Sequence, residues 1–194
     1  RRPTILIALE DDRGQGSGRS VRHFPLHEVL QRCEEHLESY GGHAMAAGVR
    51  LRAGQLAGFT AAFQAEAARR LTAADLRPRV HLDDEVMLRD LTAELVDQMR
   101  QMAPFGPGNP RPALATTEVE LVDAPRTVGV NGVHLQFTVR QENAYRKAIA
   151  FRAGPQAEEL NQHRRLRVAF EPLINEWNGQ RKVELKVIDW KPAP

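Results

Sequence analysis

The sequence predicts an α/β segment followed by one helix and a mainly-β small barrel. Three observations carry that expectation: a strand-like apolar run and two helical periodicities within residues 1–71, a composition change near residues 72–80, and alternating strands with asparagine-glycine turns beyond it. Ile5, Leu6, Ile7 and Leu9 form a continuous apolar run that reads as a buried strand. Leu26, Val29, Leu30, Cys33 and Leu37 recur at helical spacing, which predicts an amphipathic helix over residues 25–40 with Pro25 near its first turn. Ala46 to Arg52 reads as a strand, and Leu56, Phe59, Phe63, Ala67 and Leu71 mark a second helix. The outline of this part is β-β-α-β-α.

Residues 80–88 read as a strand, and Leu88, Leu91, Leu95, Met99 and Met102 mark a third helix. Pro104, Pro107 and Pro110, with Gly106 and Gly108, end it in a turn-rich connector. Val133, Leu135, Phe137 and Val139 alternate with His134, Gln136 and Thr138, as a strand with one buried face should. Asn131-Gly132 lies between that strand and Thr127-Val128, and Asn178-Gly179 lies between Leu166–Ile174 and Val183–Val187. Both pairs are hairpin signals, because each turn residue tolerates positive φ. Five or six strands over about 80 residues suit a small barrel, and the oligonucleotide-binding (OB) barrel matches in size. Periodicity does not separate it from other small barrels.

Of the 194 residues, 42% are hydrophobic and 27% charged, which excludes collagen-like, disulfide-framework and wholly disordered chains. No apolar run approaches the roughly 18 residues of a membrane span, and the first residues lack the pattern of a signal peptide. A single cysteine, Cys33, allows no internal disulfide and fits a reducing compartment. The net charge is only +2: ten basic against eight acidic residues fall in 1–71, leaving seventeen of each beyond. Whole-chain charge therefore identifies no polyanion partner, and any such case rests on local placement. Lys147, Lys182, Lys186 and Lys191 are the only lysines, and arginine makes up the rest of the basic set.

Two motifs could carry chemistry. In Gly14-Gln15-Gly16-Ser17-Gly18-Arg19-Ser20, alternate glycines let a backbone approach a ligand while Ser17, Arg19 and Ser20 offer donors. No Gly-Lys-Ser/Thr follows, so this is not a P-loop; a flexible hairpin and an anion site both remain open. In Gly41-Gly42-His43-Ala44-Met45-Ala46-Ala47-Gly48, a histidine flanked by small residues could donate to a phosphate or act as an acid; a helix C-cap at Gly41 is the plainer alternative. Metal ligation reads as none: His23 and His27 are interrupted by Pro25, and Asp83-Asp84-Glu85 suits a solvated strand edge.

The combination of Gly16-Ser17-Gly18-Arg19-Ser20, a helix, and Gly41-Gly42-His43 with Ala46-Ala47-Gly48 resembles the DHH-associated domain of the RecJ family. The resemblance continues through Pro104-Phe105-Gly106-Pro107-Gly108-Asn109-Pro110, Val133-His134-Leu135 and Ala148-Ile149-Ala150-Phe151 to Asn175-Glu176-Trp177-Asn178-Gly179, which is similar to the family's OB domain. It implies a partial DHH-associated α/β domain over residues 1–71, a linker over 72–79, and a helix plus OB-fold nucleic-acid-binding domain over 80–194. It also implies a cytoplasmic parent nuclease that degrades single-stranded DNA 5′ to 3′ in recombination and repair. No Asp-His-His occurs here, so the two divalent metals, manganese or magnesium, are expected in a separate N-terminal DHH domain of the same polypeptide. The abrupt start on a core strand fits that expectation, and the chain alone is expected to be inactive. Ser17, Arg19, Ser20, Gly41 and Gly42 are then expected to hold the strand near its scissile phosphate, with His43 as a phosphate contact or acid. Arg126, His134, Gln136 and Arg140 are the barrel candidates. A stand-alone single-strand-binding module, or a phosphodiesterase acting on short oligonucleotides or cyclic dinucleotides, would be the alternatives.

Overall fold

The glycine-rich segment, read from sequence as either a flexible hairpin or an anion site, forms a regular strand. In the computed structural model, which describes residues 2–193, β1 (Thr4–Glu10) and β2 (Arg13–Arg19) are a seven-pair antiparallel hairpin turned at Asp11-Asp12. The glycine-rich segment is therefore the regularly paired second arm of that hairpin. Its glycines alternate with side chains at the strand period of two, so Gly14, Gly16 and Gly18 all point toward the core. A Cβ on Gly16 would lie 2.7 Å from Ile7 Cγ1 and 2.9 Å from Val49 Cγ2, so neighbouring aliphatic groups already fill that space.

Helix α1 (Leu26–Arg32) is shorter than the apolar spacing predicts. Cys33 leaves helical geometry, and a 3-10 turn over Glu34–His36 carries Leu37 against the core. The chain must open there because the Glu38 amide donates to the Arg50 carbonyl, starting an additional strand, β3 (Ser39–Gly42). β4 (Ala46–Arg52) and α2 (Leu56–Arg70) follow, giving β-β-α-β-β-α. The sheet runs β1-β2-β4-β3, all antiparallel. Its inner residues Ala47, Val49 and Leu51 share a core with Phe24, Leu26, Val29, Leu30, Cys33 and Phe59. Phe24 and Phe63 pack edge to face at 5.5 Å.

The chain divides into two compact units between Arg79 and Val80, and the second unit has its own core. The strand expected over 80–88 is confined to β5 (Asp84–Val86), and the expected third helix resolves into a 3-10 turn at Leu88–Asp90 and α3 (Ala93–Arg100). Thr92 supplies the cap of α3, its hydroxyl accepting from the Leu95 amide. Short strands β6 (Leu114–Thr116), β7 (Val119–Leu121) and β8 (Arg126–Val128) lead into β9 (His134–Gln141) and β10 (Ala144–Ala150). After α4 (Ala157–Asn161) come the two long strands β11 (Arg165–Trp177) and β12 (Gln180–Pro192).

The pairings β7–β9, β9–β10, β10–β12, β12–β11 and β11–β7 close on themselves, with β10–β12 parallel and the rest antiparallel. This is a five-stranded ring of OB type, with α4 bridging its third and fourth strands. It is not a plain barrel: β8 pairs outside it on β9, and β5 and β6 extend it beyond β11. Leu135, Phe137, Val139, Leu166, Val168, Phe170 and Leu185 fill its interior. Asn178-Gly179 makes the expected two-residue turn, with φ of 48° and 72° between the paired residues Trp177 and Gln180. Asn131-Gly132 does not. The β8–β9 pairing ends at Val128–His134, and residues 129–133 form a loop containing a 3-10 turn. Packing decides this: the Gly132 carbonyl would lie only 2.0 Å from a Cβ on Gly154, so the loop sits directly on that glycine.

Candidate nucleic-acid interface

The first unit covers one face of its sheet with helices and leaves the other open. Ser17, Gly48 and Gly41 lie in one cross-strand row on the open face, continued by Leu6 of β1. Gly41 has open space where a Cβ would be, and a Cβ on Gly48 would make only an ordinary 3.7 Å contact. Neither adopts positive φ. The fold therefore does not require glycine at either position, and the main chain lies bare to whatever approaches. The glycines of β2 serve the core, whereas Gly41 of β3 and Gly48 of β4 smooth the surface.

Arg19 and the His43 turn come together at one end of this face. Arg19 pairs with Ala46, and the His43 amide closes the turn on the Ala46 carbonyl at 2.8 Å. The Arg19 guanidinium lies along its own strand, donating to Ser17 Oγ at 3.2 Å and to the Gly18 carbonyl at 2.9 Å. It makes no ion pair among the described residues, so its charge is available to an anion. The His43 ring is exposed at the turn. Gly42 has a backbone role: φ is 141°, and a Cβ would fall 2.4 Å from the Ala46 carbonyl oxygen. Ser20 is also committed locally, its hydroxyl donating to the Phe24 carbonyl.

On the barrel, Arg126 and Gln136 are register partners on the outer surface of β8 and β9. His134 is tied into the fold, with Nδ1 accepting the Arg152 amide at 3.1 Å and its ring edge-on to Phe151 at 5.0 Å. Arg140 forms an ion pair with Glu120; the Arg140 hydrogen bond holds the Glu120 carboxyl below its usual range, and the same contact raises the guanidinium pKa. These two candidates thus have partners already. The structure adds residues that the sequence pattern alone did not single out. Tyr145, Lys147 and Ile149 share the outward face of β10, and Trp177 stands 74% exposed beside the β11–β12 turn. The available signal was the alternation of Tyr145, Lys147 and Ile149 with the buried Ala148 and Ala150.

Among the described residues no group of three or more His, Cys, Asp or Glu side chains could hold a metal ion. No helix among them is long and apolar enough to cross a membrane.

A family model described as the RecJ OB domain matches residues 82–189, and one described as the DHHA1 domain matches residues 1–69. The chain is 33% identical over 190 residues to the single-stranded-DNA-specific exonuclease RecJ of Bacillus subtilis, covering 97% of this chain and 24% of that protein. It is 29% identical to the protein of the same name from Thermus thermophilus, covering 97% and 26%, and 27% identical to that from Escherichia coli, covering 97% and 33%. The chain thus spans about a quarter to a third of the length of these relatives. Crystal structures of Thermus thermophilus RecJ in complex with Mn2+ and with Mg2+ superpose with TM-scores of 0.79 and 0.75 at 28% and 29% identity. They cover all of this chain and 27% and 29% of those chains.

Proposed function

The chain belongs to the RecJ family, and on that premise we propose that it is the strand-handling C-terminal part of an exonuclease that degrades single-stranded DNA 5′ to 3′. The observation that carries this reading is the bare row of Gly41 and Gly48 beside Ser17 and an unpaired Arg19. A nucleic-acid backbone needs close approach and a guanidinium for its phosphate, and this face offers both. In the parent protein Ser17, Arg19, Gly41 and Gly42 position the strand and His43 contacts the phosphate or donates a proton. Ser20 braces the turn that supports them. The OB barrel guides the following nucleotides. Residues 1–71 act as the clamping domain, 72–79 as linker and 80–194 as the strand-binding domain, in a cytoplasmic enzyme of recombination and repair.

Among the described residues no side-chain group fits a catalytic metal pair. The manganese or magnesium ions belong, on this reading, to a DHH domain in the part of the relatives that the chain does not span. The chain alone therefore leaves labelled single-stranded DNA intact in Mn2+ or Mg2+. Metal-dependent shortening that co-purifies with it would refute that statement. In the parent enzyme Arg19→Ala weakens binding roughly 10- to 150-fold, the size of one charged hydrogen bond. His43→Ala slows single turnovers by about 10²–10⁴-fold. Variants with unchanged melting temperature, affinity and rate would remove both residues from the site.

A further inference from the structure

β3 carries the bare Gly41 and leads into the His43 turn, yet no side chain of the strand fixes where it lies. It is four residues long, all four are exposed, and two are glycine. Among the described residues it pairs only with β4. A strand that buries no side chain has a weakly specified register, and a slip of one residue turns every side chain to the other face. Such a slip would move Gly41 from its place opposite Gly48 and carry the His43 turn with it. The register must be set from outside the strand.

The 3-10 turn over Glu34–His36 supplies the anchor. The His36 side chain is only 22% exposed, because its ring lies against the start of α2. Nδ1 donates to Gln55 Oε1 at 3.1 Å, and Nε2 lies 3.4 Å from Glu35 Oε1. Gln55 and Gly58 are three residues apart and so share one side of the first turn of α2. The three atoms nearest a Cβ on Gly58 would all belong to the His36 ring, the closest at 2.8 Å. Glycine disfavours a helix, and Gly58 has no positive φ that would require it. Its place is explained by the imidazole it admits. Two surface ties join the same region: Tyr40 donates to Glu34 Oε2 at 3.3 Å, and Arg52 Nε to Glu38 Oε1 at 3.1 Å.

We infer that His36, seated on Gly58 and bonded to Gln55, is a positioning residue: it sets the register of β3 on β4 and thereby places Gly41 and His43. It acts through the strand rather than on substrate. The functional half of this inference rests on the proposed role of His43. The structural half stands on β3 alone and has its own readout. The Glu38 amide, bonded to the Arg50 carbonyl, and the His43 amide, bonded to the Ala46 carbonyl, report the two ends of β3.

The test is amide hydrogen exchange on the 194-residue chain, followed by single turnovers of the parent enzyme. His36→Ala speeds exchange of the Glu38 and His43 amides roughly 2- to 12-fold, one hydrogen bond's worth, and leaves the β1–β2 amides unchanged. His36→Asn, which keeps a donor near the Nδ1 position, retains most of that protection. Gly58→Ala separates positioning from stability. Its Cβ expels the ring, so β3 exchanges faster, while the better helix propensity of alanine holds the melting temperature level or raises it. In the parent enzyme both His36→Ala and Gly58→Ala lower the single-turnover rate at saturating DNA more than they weaken binding. Neither lowers it further in a His43→Ala background. Protection lost evenly across the sheet, or rate losses that multiply with that of His43→Ala, would overturn the positioning role. A His43→Ala enzyme of full rate, with β3 exchange still answering to His36, would overturn the proposed role of His43 and uphold the register lock.

Discussion

The two sheets of this chain each bury one face, yet they present the other in opposite ways. The open sheet of the first unit offers main chain: its exposed row is glycine at Gly41 and Gly48, edged by Ser17 and Arg19. The barrel offers side chains: tyrosine, lysine and tryptophan stand out from strands whose core-facing positions are mostly small or apolar. A bare surface suits close approach to one fixed point of a backbone. A surface of rings and ammonium groups suits loose hold on several nucleotides. Residue type alone does not show this, because within the first unit glycine both packs the core side of β2 and bares the surface at Gly41 and Gly48.

The largest expected effect tests whether the barrel glycine is structural. Gly154→Ala would place a Cβ 2.0 Å from the Gly132 carbonyl oxygen, a backbone atom with no rotamer in which to escape. Loss of about 3 kcal/mol or more, or failure of the barrel to fold, is expected in thermal unfolding. Gly16→Ala comes next, at about 1–3 kcal/mol, because aliphatic neighbours can yield slightly.

An acid titration probes the helical side of the open sheet. Hydrogen bonds from Arg69 and then Arg70 pull the Glu66 carboxyl from 4.5 down to about 2, while Arg70 also reaches Glu28 of α1 at 3.0 Å. A depressed folded pKa stabilises above the unfolded value and is lost as pH falls from about 4.5 toward 2. Wild-type stability should fall through that window relative to Glu66→Gln, by about 1 kcal/mol given the partial solvent screening. Equal acid sensitivity in both proteins would remove the contribution of the Glu66 pairs on α2.

Smaller still is Gly48→Ala, expected to change stability by no more than about 0.5 kcal/mol while impairing the parent enzyme. A clear loss of stability would give Gly48 the same core role as Gly16 and dissolve the contrast. Glu120→Gln should release Arg140 and raise single-strand affinity only slightly, with no change in melting temperature. A large gain would return Arg140 to the barrel's strand path.

Much of the architecture was legible because hydrophobic period and turn chemistry are local. Asn178-Gly179 gave its turn correctly because nothing else packs on it: Gly179 has open space at its Cβ position. Asn131-Gly132 did not, because Gly154, over twenty residues later, sets the path of that loop. The apolar period through Leu37 overstated α1, since a 3-10 turn keeps the same residue inward while freeing the chain for β3. Gly14, Gly16 and Gly18 drew attention as ligand-approach glycines, yet their partners Ile7 and Val49 are distant in sequence and invisible to spacing. The sheet brings Arg19, Ser17 and Gly41 to one face. Arg140 and His134 were legible as outward residues, but not as residues already engaged by Glu120 and the Arg152 amide.

The central claim is that the chain handles single strands, and the most direct test compares one fluorescent oligonucleotide free and annealed to its complement. Anisotropy across a salt series should show the single strand bound more tightly, with affinity falling as salt rises by a log–log slope of about −0.7 per phosphate contact. Equal or tighter binding of the duplex, or tight binding indifferent to salt, would contradict the account.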